Sequence, residues 1–272
     1  MKKTLILLAV LSFLSGFSQN KLGNSKSQLN TTNSTGSKKI SASASSSSND
    51  DSPFLGFFGE ALVFIPVAVF KYGVIGDYNK EDHLYNTLTP HPFYQEAKGN
   101  YTEMDSVGRR QLRFDIENTI LYGNSSLFGN HLQAKFRPFQ YFYLEGDYRQ
   151  LYEYDAFDEN YDRLSMFNFN FGYDRIRFEK FNFGWTLGAT YVGNEVRKAG
   201  FSYGLNTDYF LTKKISFGAS AKWSRINQNP VNAFKIQSRY HKENYFLSIN
   251  YEHLKIASPV YNFVGIGAGI YF

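Results

Sequence analysis

The chain has 272 residues and no cysteine; 43% of it is hydrophobic and 18% aromatic, with a mean hydropathy of −0.38. These figures exclude disulfide frameworks, thiolate zinc sites, cysteine nucleophiles, a lipid anchor on cysteine and a helical multispan membrane protein. The net charge of +5 also excludes less than it suggests: residues 1–52 carry six lysines and two aspartates, which leaves +1 for residues 53–272. A folded part with so little excess charge has no clustered basic face for nucleic acid, so no nucleic-acid partner is expected.

In chain order, residues 1–19 read as a signal peptide for Sec export. Lys2 and Lys3 precede the apolar run Leu5–Leu14, and the small residues Gly16 and Ser18 stand before a cleavage point after Gln19. The apolar run is too short to cross ~30 Å of hydrocarbon. Residues 20–52 are rich in Ser, Asn, Thr, Gly and Lys, a composition expected to form a disordered linker or tether. Asn30 and Asn33 begin Asn-x-Thr and Asn-x-Ser patterns, a weak glycosylation signal.

Residues 53–108 read as an apolar helix and connector. Ser52 as N-cap and Pro53 in the first turn open PFLGFFGEALVFIPVAVFKYGVIG, interrupted by Glu60, Pro66 and Lys71. Its length admits a membrane span, but a carboxylate near mid-depth is costly. The expected place is therefore a kinked helix on the periplasmic membrane face, or packed against or inside the main domain. Asp77–Gly108 reads as an ordered connector.

From residue 109 to 272 the period is two. Leu112, Phe114, Ile116, Ile120 and Tyr122 alternate with Arg113, Asp115, Glu117 and Thr119. The same alternation recurs around Leu132–Phe136, Phe142–Tyr152, Phe167–Tyr173, Phe183–Tyr191, Phe201–Tyr209, Ile215–Trp223, Phe234–Tyr240, Tyr245–Tyr251 and Val264–Phe272. That pattern implies ten strands, each with one apolar and one polar face. The strand at 234–240 is short, and the link at 227–233 before it is unassigned. Short turns at 138–140, 175–180, 212–214 and 241–243 alternate with longer links at 123–130, 155–162 and 193–200. Such a pattern fits either a soluble sheet with an apolar interior or an inside-out membrane barrel; aromatic residues ending the apolar face favour the barrel.

With its signal segment and the final strand GIGAGIYF ending on Phe272, the chain resembles bacterial outer-membrane β-barrel proteins. The resemblance covers roughly Arg110–Phe272 and is to the class. It implies an all-β, antiparallel up-and-down transmembrane barrel in the cell outer membrane. Its partners would be outer-membrane lipid, the barrel-assembly machinery through the C-terminal strand, and an envelope protein. No cofactor or metal is expected.

In such a barrel Phe114, Phe142, Phe169, Trp185, Phe217, Trp223 and Phe272 face the membrane. The inward face carries Arg113, Lys135, Arg137, Arg149, Lys222, Lys235 and Arg239 against Asp115, Glu117, Glu145, Asp147, Glu153, Asp174, Asp208 and Glu252. Opposite charges in near balance are expected to pair into a network that closes the lumen, since a selective pore would show one sign in a ring. The expected function is a structural or accessory envelope component. The alternatives are a small-solute or lipid transport barrel plugged by residues 53–108, and a rim hydrolase using His131 near Ser125 and Ser126, or His253 beside Glu252. Asp155, Asp158 and Glu159 offer oxygen ligands without the ordered pattern of a calcium loop, and His83, His91 and Tyr94 lack metal-ligand spacing.

Overall fold

A computed structural model describes residues 20–31, 73–103, 112–155 and 159–272. The segment expected to be a signal peptide, most of the Ser/Asn-rich stretch and the apolar run through Tyr72 lie outside the described residues. Two short strands, β1 (Thr87–Leu88) and β2 (Tyr101–Thr102), pair with each other. Ten antiparallel strands follow: β3 (Arg113–Asn124), β4 (Leu127–Arg137), β5 (Phe142–Asp155), β6 (Asn160–Arg177), β7 (Phe181–Val192), β8 (Lys198–Thr212), β9 (Ile215–Ile226), β10 (Asn229–Lys242), β11 (Tyr245–Ile256) and β12 (Val260–Tyr271). They close into a barrel, because β12 pairs with β3 and brings Ile270 opposite Ile116.

The alternation in sequence becomes alternation across the wall. Phe169 is 64% exposed, Ile266 68% and Leu247 63%, all on the outside, while Asn170, Glu252 and Ser248 beside them point inward and are buried. A soluble barrel has the reverse arrangement. Strands of about a dozen residues with an apolar outer band and polar interior have the dimensions and polarity of a membrane-spanning barrel of the outer-membrane type. Each strand of the closed wall is hydrogen-bonded to a neighbour on both sides and no edge is left, which a hydrocarbon environment demands. Aromatic rings flank the band at both ends, as with Phe128 stacked on Tyr152 (centroids 5.3 Å apart) and Phe142 on Phe171 (5.3 Å).

Three local expectations are corrected. Residues 123–130 are no long link: β3 and β4 meet at a turn of Ser125 and Ser126. The strand expected to be short runs the full length Asn229–Lys242, and the unassigned link shrinks to Asn227 and Gln228. Both have positive φ (50° and 67°), the backbone that a tight two-residue hairpin needs and that Asn tolerates. Pro230 had obscured the strand, but it sits at its first turn of pairing, opposite Arg225, where a missing N–H is tolerated.

The third correction concerns the stretch expected to be disordered from residue 20. Lys21–Asn30 is a helix, α1, with the Asn20 side chain accepting from Gly23 N at 3.0 Å. The average composition hides Leu22 and Leu29, seven residues apart and so on one helical face; both are fully buried. They enter an apolar cluster with Leu121, Leu151, Leu164, Val192, Ile226 and Phe263 at the barrel end formed by the turns after β3, β5, β7, β9 and β11. This end is the first mouth. Residues 73–103 occupy the other, the second mouth, where β3 begins and β12 ends. Among the described residues no helix is long and apolar enough to cross a membrane.

Candidate functional site: the occupied lumen

All twelve residues Arg113, Asp115, Glu117, Lys135, Arg137, Glu145, Asp147, Arg149, Asp208, Lys222, Arg239 and Glu252 lie on the inner wall, and the barrel's curvature brings them together in four groups. Near the second mouth, Arg113 holds Asp115 through two bonds of 2.7 and 2.9 Å. Arg137 reaches Asp174 at 2.7 Å, and the Tyr101 hydroxyl donates to the same oxygen at 2.5 Å. This separates two arginines that pair directly across β3 and β4, Arg113 opposite Arg137, by giving each its own carboxylate.

At mid-height Lys222 donates to Asp147 at 2.6 Å and to Glu145 at 3.2 Å, with Lys135 3.7 Å from Glu145. Arg149 bridges Asp147 at 2.6 Å and Glu252 at 3.1 Å. On the facing wall Arg239 bridges Glu117 at 3.1 Å and Asp208 at 3.2 Å, and Ser248 donates to Glu117 at 2.6 Å. Buried charges persist only when paired and hydrogen-bonded, and each of these carboxylates has at least one cation within 4.0 Å. The space left among these side chains is a cavity of about 80 Å³, enough for a few waters.

Each mouth is filled by the chain's own segments. In the first mouth Leu22 N donates to Glu153 at 2.7 Å, and Ser25 Oγ meets the Tyr261 hydroxyl at 2.7 Å. Lys26 pairs with Asp162 and, at 2.8 Å, with Glu195. Burial pulls the Lys26 pKa down, but its bonds to the two carboxylates outweigh this and hold it above the usual lysine value; Lys26 in turn lowers that of Glu195. In the second mouth Asn100 and the Thr89 carbonyl receive Arg113, and Asn86 donates to the Arg177 carbonyl at 2.8 Å. At the rim Glu81 accepts from Arg175 at 2.8 Å, which lowers the Glu81 pKa, while Lys98 meets Glu179 at 2.5 Å. Burial lowers the His83 pKa, so this ring is neutral beside Glu81 at neutral pH.

The outward residues are equally plain. Phe114, Phe142, Phe169, Phe217, Trp223 and Phe272 present their rings outside the barrel. Trp185 also faces outward, but its indole donates to the Val74 carbonyl at 3.0 Å, so part of this face is covered by the chain.

Two histidines stand away from the rim chemistry expected of them. His131 is buried in the lumen, with Nδ1 2.6 Å from Glu252 and Nε2 3.9 Å from Asp147. Its partners are carboxylates and not a serine hydroxyl. Its inward orientation is legible from alternation, but its height along the wall is not. His253 lies on the outer face and contacts Asn262 at 2.8 Å, while Glu252 next to it points inward. Sequence spacing does not single out a further contact, Ser216 Oγ to His241 Nε2 at 2.7 Å. That ring is packed among Phe93, Phe210, Phe246 and Tyr271, and no hydrogen-bonding group meets its Nδ1. A catalytic serine–histidine pair needs a third group on that nitrogen to fix the tautomer, so the pair fits a packing role. Among the described residues no group of three or more His, Asp or Glu is placed to hold a metal ion; Asp158 of the acidic loop lies outside them.

No protein-family model matches the chain, and no curated protein matches it. Among solved structures it is similar to the KdgM porin (9% identity over 59% of this chain and 98% of that one, TM-score 0.35), the NanC porin (10% over 58% and 98%, TM-score 0.37) and the outer membrane protein Ail of Yersinia pestis (12% over 60% and 100%, TM-score 0.34).

Proposed function

We propose that this protein is a non-conducting outer-membrane barrel that serves as a structural or accessory component of the cell envelope. One observation carries the reading: both mouths are occupied by the chain's own segments, α1 and residues 73–103, around a lumen whose charges are paired across the wall. A diffusion channel needs a continuous aqueous path and gains selectivity from an excess of one sign of charge; the cavity of about 80 Å³ and the paired charges of this interior support the sealed reading instead. Among the described residues the interior sets a serine against a histidine at Ser216 and His241, where no group meets the ring's Nδ1, and the reading is non-enzymatic. Lipid is the solvent of the outer face, and the terminal strand ending in Phe272 is the element offered to the barrel-assembly machinery.

A second reading, transport of a small solute or lipid with residues 53–108 as a movable plug, has one observation in its favour. The cap in the second mouth is held by polar contacts such as Arg113 with Asn100 and Glu81 with Arg175, which can exchange for water without breaking the wall. Deleting residues 53–108 and recording conductance in a planar bilayer separates the two. A sealed, less stable barrel is expected; steady ion-selective steps after deletion would favour the plug.

A further inference from the structure

The outward wall is mostly apolar, and few of its exposed residues are charged. Within the ten barrel strands these are, among the described residues, Arg163, Arg225, Lys242 and Lys255, all cations. Lys242 ends β10 at the second mouth. Arg225 on β9 and Lys255 on β11 stand at the first mouth, on either side of β10. Asn232 of β10 pairs with Trp223 on one side and Lys255 on the other, and Arg225 lies two residues beyond Trp223 on the same face. A third cation, Lys21 of α1, donates to the Val260 carbonyl at 3.4 Å, and Val260 stands opposite Lys255. Polar side chains surround them: His253 contacts Asn262 at 2.8 Å, and the Tyr251 hydroxyl donates to Asn262 at 2.9 Å. No acidic residue of β8–β12 faces outward, since Asp208 and Glu252 both point inward to arginines.

Toward mid-wall the same sector is hollow. The outward column of β9 runs Phe217, Ala219, Ala221 and Trp223, so rings give way to methyl groups at its middle, and Thr207 of β8 stands opposite Ala219. The hollow measures about 630 Å³ and is bordered by Tyr209, Ile236, Ile249, Tyr251 and Val264. Lys255 lies four residues beyond Tyr251 on one face, ~13 Å at ~3.4 Å per residue. One leaflet of a ~30 Å hydrocarbon core is about 15 Å deep, so the hollow and the cations sit within one leaflet of each other. Between them Trp223 stacks on Tyr203, centroids 5.5 Å apart, as rings do at headgroup level. Cations just beyond that level meet lipid phosphates, and the planar fork of arginine matches phosphate oxygens. An apolar recess in a hydrocarbon-facing wall loses dispersion contacts unless a chain fills it.

We propose that β8–β12 bind one membrane lipid with an anionic, phosphate-bearing headgroup: Arg225 and Lys255 take the phosphate at the first mouth, and an acyl chain fills the hollow over Ala219. Free phosphate would meet the cations and leave the hollow empty; a neutral lipid would do the reverse. The inference rests on the barrel spanning a membrane, and not on whether the lumen conducts.

The full chain, refolded in a neutral detergent, is titrated with dioleoyl phosphatidylglycerol, with the electrically neutral dioleoyl phosphatidylcholine and with inorganic phosphate, and native mass spectrometry counts what stays bound. Heat-modifiable gel mobility selects folded barrel for every variant. One phosphatidylglycerol per barrel is expected, held more tightly than phosphatidylcholine, with no inorganic phosphate retained. Arg225→Gln combined with Lys255→Gln is expected to weaken phosphatidylglycerol by about thirtyfold and to leave phosphatidylcholine unchanged. Ala219→Trp fills the hollow and is expected to weaken both lipids. Arg163→Gln removes an exposed cation outside this sector and is expected to change neither. Unchanged binding in the double variant or in Ala219→Trp, an equal loss in Arg163→Gln, or retention of inorganic phosphate would overturn the proposal. So would a barrel dimer that excludes lipid, which would assign this face to a second copy of the chain.

Discussion

At the scale of single residues the lumen depends on pairs, and the partners left behind decide the cost of breaking them. Asp147 neutralises both Lys222 and Arg149. Asp147→Ala leaves two buried cations short of a counter-charge and is expected to destabilise the barrel by ~3–5 kcal/mol. Urea unfolding of the refolded protein in lipid vesicles measures this; a loss below ~1 kcal/mol, the scale of an exposed pair, would contradict the pairing. The contacts of α1 carry a pH signature. Glu195 has a lowered folded pKa, so its contribution is complete above the ordinary glutamate value and is lost as pH falls through the folded one. Lys26 is raised, so its contribution holds below the ordinary lysine value and is lost as pH rises through the folded one. The protection factor of amides across residues 21–30, with the intrinsic pH dependence of exchange divided out, should therefore be highest at neutral pH and fall in acid as Glu195 protonates. A flat profile would contradict the Lys26–Glu195 contact. The inward charges are legible in sequence because a strand puts every second residue on one face. Their partners are not: Glu252 meets His131 and Arg149 only because closure and strand stagger bring β11, β4 and β5 to one height.

At the scale of elements, the ten strands announce themselves by alternation. Where they failed to, local features masked the pattern: Pro230 and a polar run obscured the start of β10, and a serine pair after Asn124 resembled a loop although it is a tight turn. The helix α1 is the larger surprise. It has neither the length nor the mean hydropathy of a stable isolated helix, and its order comes from burying Leu22 and Leu29 in the first mouth. Leu29→Ala is expected to cost ~2–5 kcal/mol of that docking. Limited proteolysis should then cut within residues 20–31 while the barrel stays heat-modifiable. Unchanged protection would show that polar contacts such as Ser25 with Tyr261 hold the helix without its apolar face.

At the scale of the whole molecule, a polar average hydropathy and an exposed aromatic wall reconcile once the barrel is inside-out. The balance of charge along the inward face anticipates a filled lumen, and the strand count follows from period alone. Which segments fill the mouths was beyond the sequence, because a Ser- and Asn-rich stretch reads as linker until the site that receives its two leucines exists. The central proposal is that the intact barrel with both caps in place has no open path for ions. Its most direct test is single-channel recording of refolded residues 20–272 in a planar bilayer. Silence is expected across the voltages the bilayer tolerates; steady, ion-selective conductance steps from the intact protein would contradict it.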